Sequence, residues 1–240
     1  DPDAPSEADM DGALRSVPLR FEHHLGVIHC RYNVVEHNEV HSVMRALGDG
    51  NGIYLSGTGN GNIVRRNFVH DLFGEGVQSA VRTDGWQWYT RIYENVIWRI
   101  GSGGLTVKQV NDYDNNFIAD CRKFGCILAR RCPGGEAWGS TVRRNIFYQP
   151  KAEIPSSTYP PFYQECGEMP DGIHGKLAHL VIEDNLLFCA EDNGAADECL
   201  RRMREELGKD QRSIVADPGF IDAKNGDFRL RPDSAAFRLG

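Results

Sequence analysis

One asparagine recurs along this chain in a fixed apolar setting, and that recurrence narrows the possible folds more than any other feature. It stands at Asn38 in VVEHNEVH, Asn67 in IVRRNFVH, Asn95 in RIYENVIW, Asn116 in DYDNNFIA, Asn145 in TVRRNIFY and Asn185 in VIEDNLLF. Successive copies are 29, 28, 21, 29 and 40 residues apart. Val34, Ile63, Ile92, Val142 and Ile182 precede the asparagine by three or four residues, and an apolar residue follows within two. Six unrelated turns, each using Asn for its local turn chemistry, would not share these flanks. A repeated unit does.

Four further runs sit between the copies: GIYLSG at 52–57, AVRTDG at 80–85, GLTVKQ at 104–109 and GCILAR at 125–130. Ile53/Leu55, Val81/Thr83, Leu105/Val107 and Cys126/Leu128 alternate with outward residues, the pattern of strands with one buried face. Short strands and turns at this period predict an all-β solenoid in which each coil stacks on the last. The asparagine then has a physical task. Equivalent turns stack at about 4.8 Å, and a side-chain amide carries both donors and an acceptor. A ladder of amides can satisfy itself and the turn backbone, groups that are costly to bury unpaired. The chain lacks the helical content of ankyrin or tetratricopeptide arrays and has no Leu-rich consensus.

Composition removes several function classes. A net charge of −7 argues against wrapping nucleic acid. Apolar residues make up 40% of the chain, with no stretch approaching the roughly 18 needed to span a bilayer, so neither disorder nor membrane insertion is expected. Seven cysteines cannot all pair within the chain. Cys121, Cys126 and Cys132 lack the spacing of a zinc site, and Cys126 falls on the inward alternation, so these thiols read as small core hydrophobes. GTGNGN opens no helix and lacks the lysine of a phosphate loop, so it reads as a coil turn.

The asparagine ladder, GNGIYLSGTGNGNIVRRNFVHDLF, AVRTDG and the ending SIVADPGFIDAKNGDFRLRPDS together resemble the right-handed parallel β-helix proteins of bacteria. The resemblance covers about residues 31–240 and points to the group related to fucosidase- and xylanase-type β-helix glycoside hydrolases. It implies a right-handed parallel β-helix, a polysaccharide or oligosaccharide substrate and a secreted or periplasmic location; the residues themselves suggest no cofactor. One departure is Ala235, where such endings often carry Pro. The opening DPDAPSEADMDG shows no signal peptide, and the last residues still read as strand and turn, which favours a fragment of a longer protein.

Residues 1–30 read as a lead-in segment or the remains of an earlier coil, and 31–240 as the β-helix. The Pro-rich stretch 150–178 breaks the pattern and reads as a loop insertion. A short helix is expected at 195–207, with Leu200, Met203 and Leu207 on one face and Gly208 as its C-cap. It would cover a solenoid edge. The tail from Ser213 is expected to finish the sheet.

The alternation also orders the outer face. Tyr54, Arg82, Thr106 and Ile127 form one outward column; Ser56, Asp84, Lys108 and Ala129 the next; Gly57, Gly85, Gln109 and Arg130 the third. Trp86 and Trp88 follow Asp84, and Arg131, Glu136 and Trp138 come one coil later. One reading is a solvated face on which Asp84 and Lys108 form a cross-strand ion pair worth a few tenths of a kcal/mol. The other is a saccharide groove, in which indoles support sugar rings and the charged groups hold hydroxyls. In that reading Asp84, Lys108, Asp112 and Glu136 are the catalytic candidates. Tyr54, Arg82, Trp86, Trp88, Gln109, Arg130, Arg131, Trp138 and His70 are the substrate contacts. His41, His70 and Trp98 hold one place on successive coils, which suits a stack of turn side chains or, for His70, a substrate contact. Asp112 and Asp114 suit a turn cap, a Ca²⁺ site or a lean over the groove; no EF-hand spacing is present, and no metal is assigned.

The first reading is a glycoside hydrolase, with a polysaccharide lyase and a non-catalytic module as alternatives. A glycoside hydrolase needs two carboxyl groups, about 5–5.5 Å apart for retention and 6.5–9.5 Å for inversion. Asp84, kept ionised by its cations, would be the nucleophile or base, and Asp112 or else Glu136 the acid. A polysaccharide lyase would use Lys108 as base and Arg82 against a uronate carboxylate. A non-catalytic glycan-binding or structural module needs neither.

Overall fold

The computed structural model describes residues 28–46, 48–85, 87–108, 110–129, 139–152, 158–166 and 180–239. Three parallel sheets dominate it. The first holds Val34–Glu36, Ile63–Arg65, Arg91–Tyr93, Asp112–Asp114, Thr141–Arg143 and Val181–Glu183. The second holds Glu39–His41, Phe68–Leu72, Val96–Ile100, Phe117–Cys121, Ile146–Gln149, Leu186–Cys189 and Ile214–Val215. The third holds Gly50–Leu55, Val77–Thr83, Gly103–Val107, Phe124–Ala129 and Tyr163–Cys166. Up to Tyr163–Cys166 the chain visits the sheets in rotation, so each of these coils lays one strand on each sheet and the coils stack in a solenoid-like array.

The recurrent asparagine sits at the bend from the first sheet to the second. The residue before it is left-handed in every coil: His37, Arg66, Glu94, Asn115, Arg144 and Asp184 have φ between 52° and 56°. That strained step turns the chain within two residues, and the asparagine secures it. Asn38 Nδ2 donates to Asn67 Oδ1 at 2.9 Å, Asn67 to Asn95 at 2.9 Å and Asn95 to Asn116 at 2.9 Å. Asn116 donates to Asn145 at 3.0 Å, and Asn145 to Asn185 at 3.2 Å. Each oxygen also accepts the backbone N–H of the preceding asparagine. A second polar column, from Asn33, Asn62, Thr90, Asn111 and Ser140, lines the bend from the third sheet into the first.

The middle residue of each first-sheet strand and the second residue of most second-sheet strands point inward. Val64, Ile92, Tyr113, Val142 and Ile182 from the first sheet meet Val69, Ile97, Ile118, Phe147 and Leu187 from the second and Val81, Leu105, Cys126 and Tyr163 from the third, none more than 1% exposed. Each aliphatic side chain so buried contributes about 1.5–3 kcal/mol. Cys121 and Cys126 are buried free thiols, as the core reading expects, and Cys132 lies outside the described residues; Cys189 and Cys199 are also buried and Cys30 is exposed.

The 150–178 stretch is not loop throughout. Tyr163–Cys166 continues the third sheet beside Phe124–Ala129, and Tyr159, Phe162 and Tyr163 enter the core. Helix α1, Asn193–Leu207, starts two residues earlier than expected because Asp192 caps it, accepting from Gly194 N at 2.9 Å. Gly208, with φ 64°, ends it. Its buried Ala196, Cys199 and Met203 join the core, and it packs against Leu186–Cys189. The tail extends the second sheet only at Ile214–Val215. An antiparallel hairpin, Phe220–Asp222 with Asp227–Leu230, then crosses the outer face of that sheet. Val96, Phe117 and Ile146 point outward there, and Phe220 and Phe228 cover Phe117 with ring centroids 4.7 and 4.5 Å away. No helix among the described residues is long and apolar enough to cross a membrane.

Candidate functional site

The third-sheet columns have the expected register. Ile53 aligns with Val81, Leu105 and Cys126, and Tyr54 with Arg82 and Thr106. Thr83 ends its strand, and Asp84 N then bonds Leu55 O at 2.8 Å, placing the aspartate at the lip of the sheet.

Three side chains from three coils and one backbone N–H converge on it. Asp84 Oδ1 accepts Lys108 Nζ at 2.5 Å and Gly85 N at 2.9 Å. Oδ2 accepts the Tyr54 hydroxyl at 2.7 Å and lies 2.7 Å from an Arg82 guanidinium nitrogen. Both oxygens therefore carry two donors. The Arg82 guanidinium lies 5.6 Å above the Tyr54 ring and 3.9 Å from Asp49 Oδ1. Its Nε is buried with no hydrogen-bond partner among the described residues.

The side chains of Arg82, Asp84 and Lys108 are only 15%, 14% and 12% exposed, so water screens them weakly. Burial pushes the Asp84 carboxyl up. The hydrogen bonds from Lys108 and Tyr54 and the charges of Lys108 and Arg82 outweigh it and hold the group below its usual range. Burial and the Asp84 carboxylate push the Tyr54 phenol up, so it keeps its proton. Chemically the cluster is two cations tied to one ionised carboxylate, with a protonated phenol alongside. Asp84 is no general acid, and with four donors bound it has no acceptor position to spare.

The remaining sequence candidates are dispersed. Trp88 is not a platform ring: it is 8% exposed, between the buried Gln87 and Thr90. It stands just before the first-sheet strand Arg91–Tyr93, away from the third-sheet face on which Arg82 lies. Asp112 begins a first-sheet strand and accepts the Thr141 hydroxyl at 2.7 Å, with no bond to the Asp84 cluster. Asp114 is tied to Arg144. Among the described residues no three His, Cys, Asp or Glu side chains converge to hold a metal. His70 lies on the second sheet, away from Asp84. It stacks 5.3 Å from His41 and 4.0 Å from Phe68, with Nδ1 2.8 Å from Asp71 and Nε2 3.0 Å from Glu39. Trp86, Gln109, Arg130, Arg131, Glu136 and Trp138 lie outside the described residues. Asp49 at the margin of the cluster was not singled out from sequence; its place in the turn before a third-sheet strand was the available signal.

No protein-family description, curated protein or solved structure matches this chain.

Proposed function

We propose that the chain is a right-handed parallel β-helix with an asparagine ladder, and that it is an enzyme acting on acidic polysaccharide at the third-sheet lip around Asp84. The handedness rests on the strong preference of parallel strand crossovers, about 98% of which are right-handed. The functional reading rests on one observation: Arg82 and Lys108 are clamped side by side on a single carboxylate, beside a Tyr54 ring that is 48% exposed. Two cations held at fixed positions on the lip suit a polymer carrying carboxylates.

The reaction this arrangement suits is β-elimination. Arg82 neutralises the uronate carboxylate, which eases loss of the proton on the adjacent carbon. Lys108, once it has released a proton to solvent, takes that proton as a free amine. The C–H electron pair becomes the new double bond, the glycosidic C–O bond breaks, and Tyr54 gives its proton to the leaving oxygen. Asp84 does not react; it orients both cations.

Hydrolysis is the second reading, favoured by the ionised state of Asp84. A carboxylate in that state is a usable nucleophile or base, but it must first shed bound donors, and Asp112 or Glu136 would have to supply the acid. Incubation with polygalacturonate, alginate and neutral xylan separates these routes. Elimination raises ultraviolet absorbance through the new double bond, and Lys108→Met lowers the rate at least tenfold. New reducing ends without absorbance mean hydrolysis. Binding without either product overturns the enzyme reading and leaves a glycan-binding module.

A further inference from the structure

Leu72, Ile100 and Cys121 are in register on neighbouring coils of the second sheet. The residue before each is left-handed: Asp71 at φ 51°, Arg99 at 55° and Asp120 at 50°. The repeated bend brings these three to one corner of the solenoid. Asp71 and Arg99 pair there at 3.0 Å. Asp120 behaves differently: no described side chain is hydrogen-bonded or ion-paired to it, although it is only partly exposed. Burial raises its carboxyl against the pull of Arg122, Arg99 and Lys151.

Two hollows, of about 580 and 470 Å³, open beside Asp120, and Arg99, Asp120 and Pro150 belong to the walls of both. They form one groove. Its first half carries Arg122 and Lys151, neither of which has a carboxylate partner among the described residues, and the Arg122 guanidinium lies 4.9 Å over Phe73. Its second half is walled by Trp98 and Tyr148, with Lys224 from beside the C-terminal hairpin. Trp98 is fixed there by Phe228, edge-on at 5.2 Å.

We propose that this groove binds an acidic oligosaccharide, with a sugar carboxylate on Arg122 and Lys151, the next ring against Trp98 and Tyr148, and a ring hydroxyl on Asp120. A bare inorganic anion would leave the aromatic half unused and fill little of either hollow. A neutral sugar would leave the cations unanswered. The site rests on the saccharide reading of this chain but not on chemistry at Asp84, which belongs to a different sheet.

The test is titration of the full chain with tetragalacturonate, followed by calorimetry and Trp fluorescence. Arg122 and Lys151 are exposed, so the double change Arg122→Ser/Lys151→Ser leaves the core intact. The groove is supported if that variant loses at least tenfold in affinity or one binding event, and if Trp98→Phe abolishes part of the fluorescence change. Lys108→Met should leave the fluorescence change at Trp98 in place; if Lys108→Met alone weakens binding, the third-sheet site stands and the groove fails. The proposal is also overturned if inorganic phosphate or neutral xylotetraose binds the groove as tightly as tetragalacturonate.

Discussion

Lys108 Nζ lies 2.5 Å from Asp84 Oδ1, and the two residues hold the same place on neighbouring coils of the third sheet. Their separation is set by the rung spacing of about 4.8 Å, so the asparagine column that fixes the coils also fixes this contact. The pair is well shielded, and loss of one member leaves the other charge poorly solvated.

That shielding gives Asp84 a pH signature. Its folded carboxyl titrates below its unfolded value of about 3.9, so the unfolded chain binds more protons and stability rises with pH across that window. The contribution is fully present above the unfolded value and is lost as pH falls through the folded one. Asp84→Asn should therefore lower the urea midpoint at pH 7 and pH 5, with the gap to the parent closing towards pH 3. A gap of constant size at all three pH values would mean that the carboxylate charge is not what the cluster uses.

Asn95 tests the stacked amides. Its Nδ2 donates to Val64 O, Tyr93 O and Asn116 Oδ1, and its Oδ1 accepts from Asn67. Asn95→Leu strands several of these groups in a site that is 1% exposed. Each stranded group costs about 1–3 kcal/mol, so the variant should lose more than ~1 kcal/mol in urea unfolding. A variant that melts like its parent would show that water reaches this bend.

The sequence revealed the coils because their determinants are local. Asn67 and its counterparts keep one spacing from their apolar neighbours, and Ile53, Val81 and Leu105 alternate in plain view. The register that follows was enough to bring Tyr54, Arg82, Asp84 and Lys108 together. Other features depend on contacts between distant segments. Tyr163–Cys166 was hidden by the surrounding prolines, and the second polar column was hidden because Thr90 and Ser140 replace asparagine in it. Trp88 belongs to no alternation, so its burial had no local signal. The Asp120 groove depends on left-handed backbone at ordinary residues and on a hairpin folding back over the second sheet, neither of which has a sequence period.

Trp88 provides a direct contrast with the surface role first expected of it. A ring that is 8% exposed leaves a cavity when truncated, and Trp→Ala changes in cores typically cost about 3–5 kcal/mol. Trp88→Ala should unfold at markedly lower urea, with binding lost only because the fold is lost. A stable Trp88→Ala protein with weakened oligosaccharide binding would return this indole to the surface.

The far end of the asparagine column rests on a carboxylate rather than an amide. Asp210 is fully buried; its Oδ1 accepts the Asn185 amide at 3.1 Å and the Ser213 hydroxyl at 2.5 Å. Burial raises its carboxyl, while the hydrogen bonds from Ser213, Asn185 and Tyr163 pull the other way. With a raised folded value, the folded chain holds its proton more tightly than the unfolded chain. The stability this confers is present below about pH 3.9 and is lost as pH rises through the folded value. At pH 7 the protein thus carries either a buried charge or the cost of protonating it. An asparagine at this position has the same shape, and its amide oxygen can still accept from Asn185 and Ser213. Asp210→Asn should therefore raise the melting temperature at pH 7, and the advantage should shrink as pH approaches 3. If the variant is instead less stable at pH 7, the column needs a carboxylate at its end, and the ionised form is the one the fold selects.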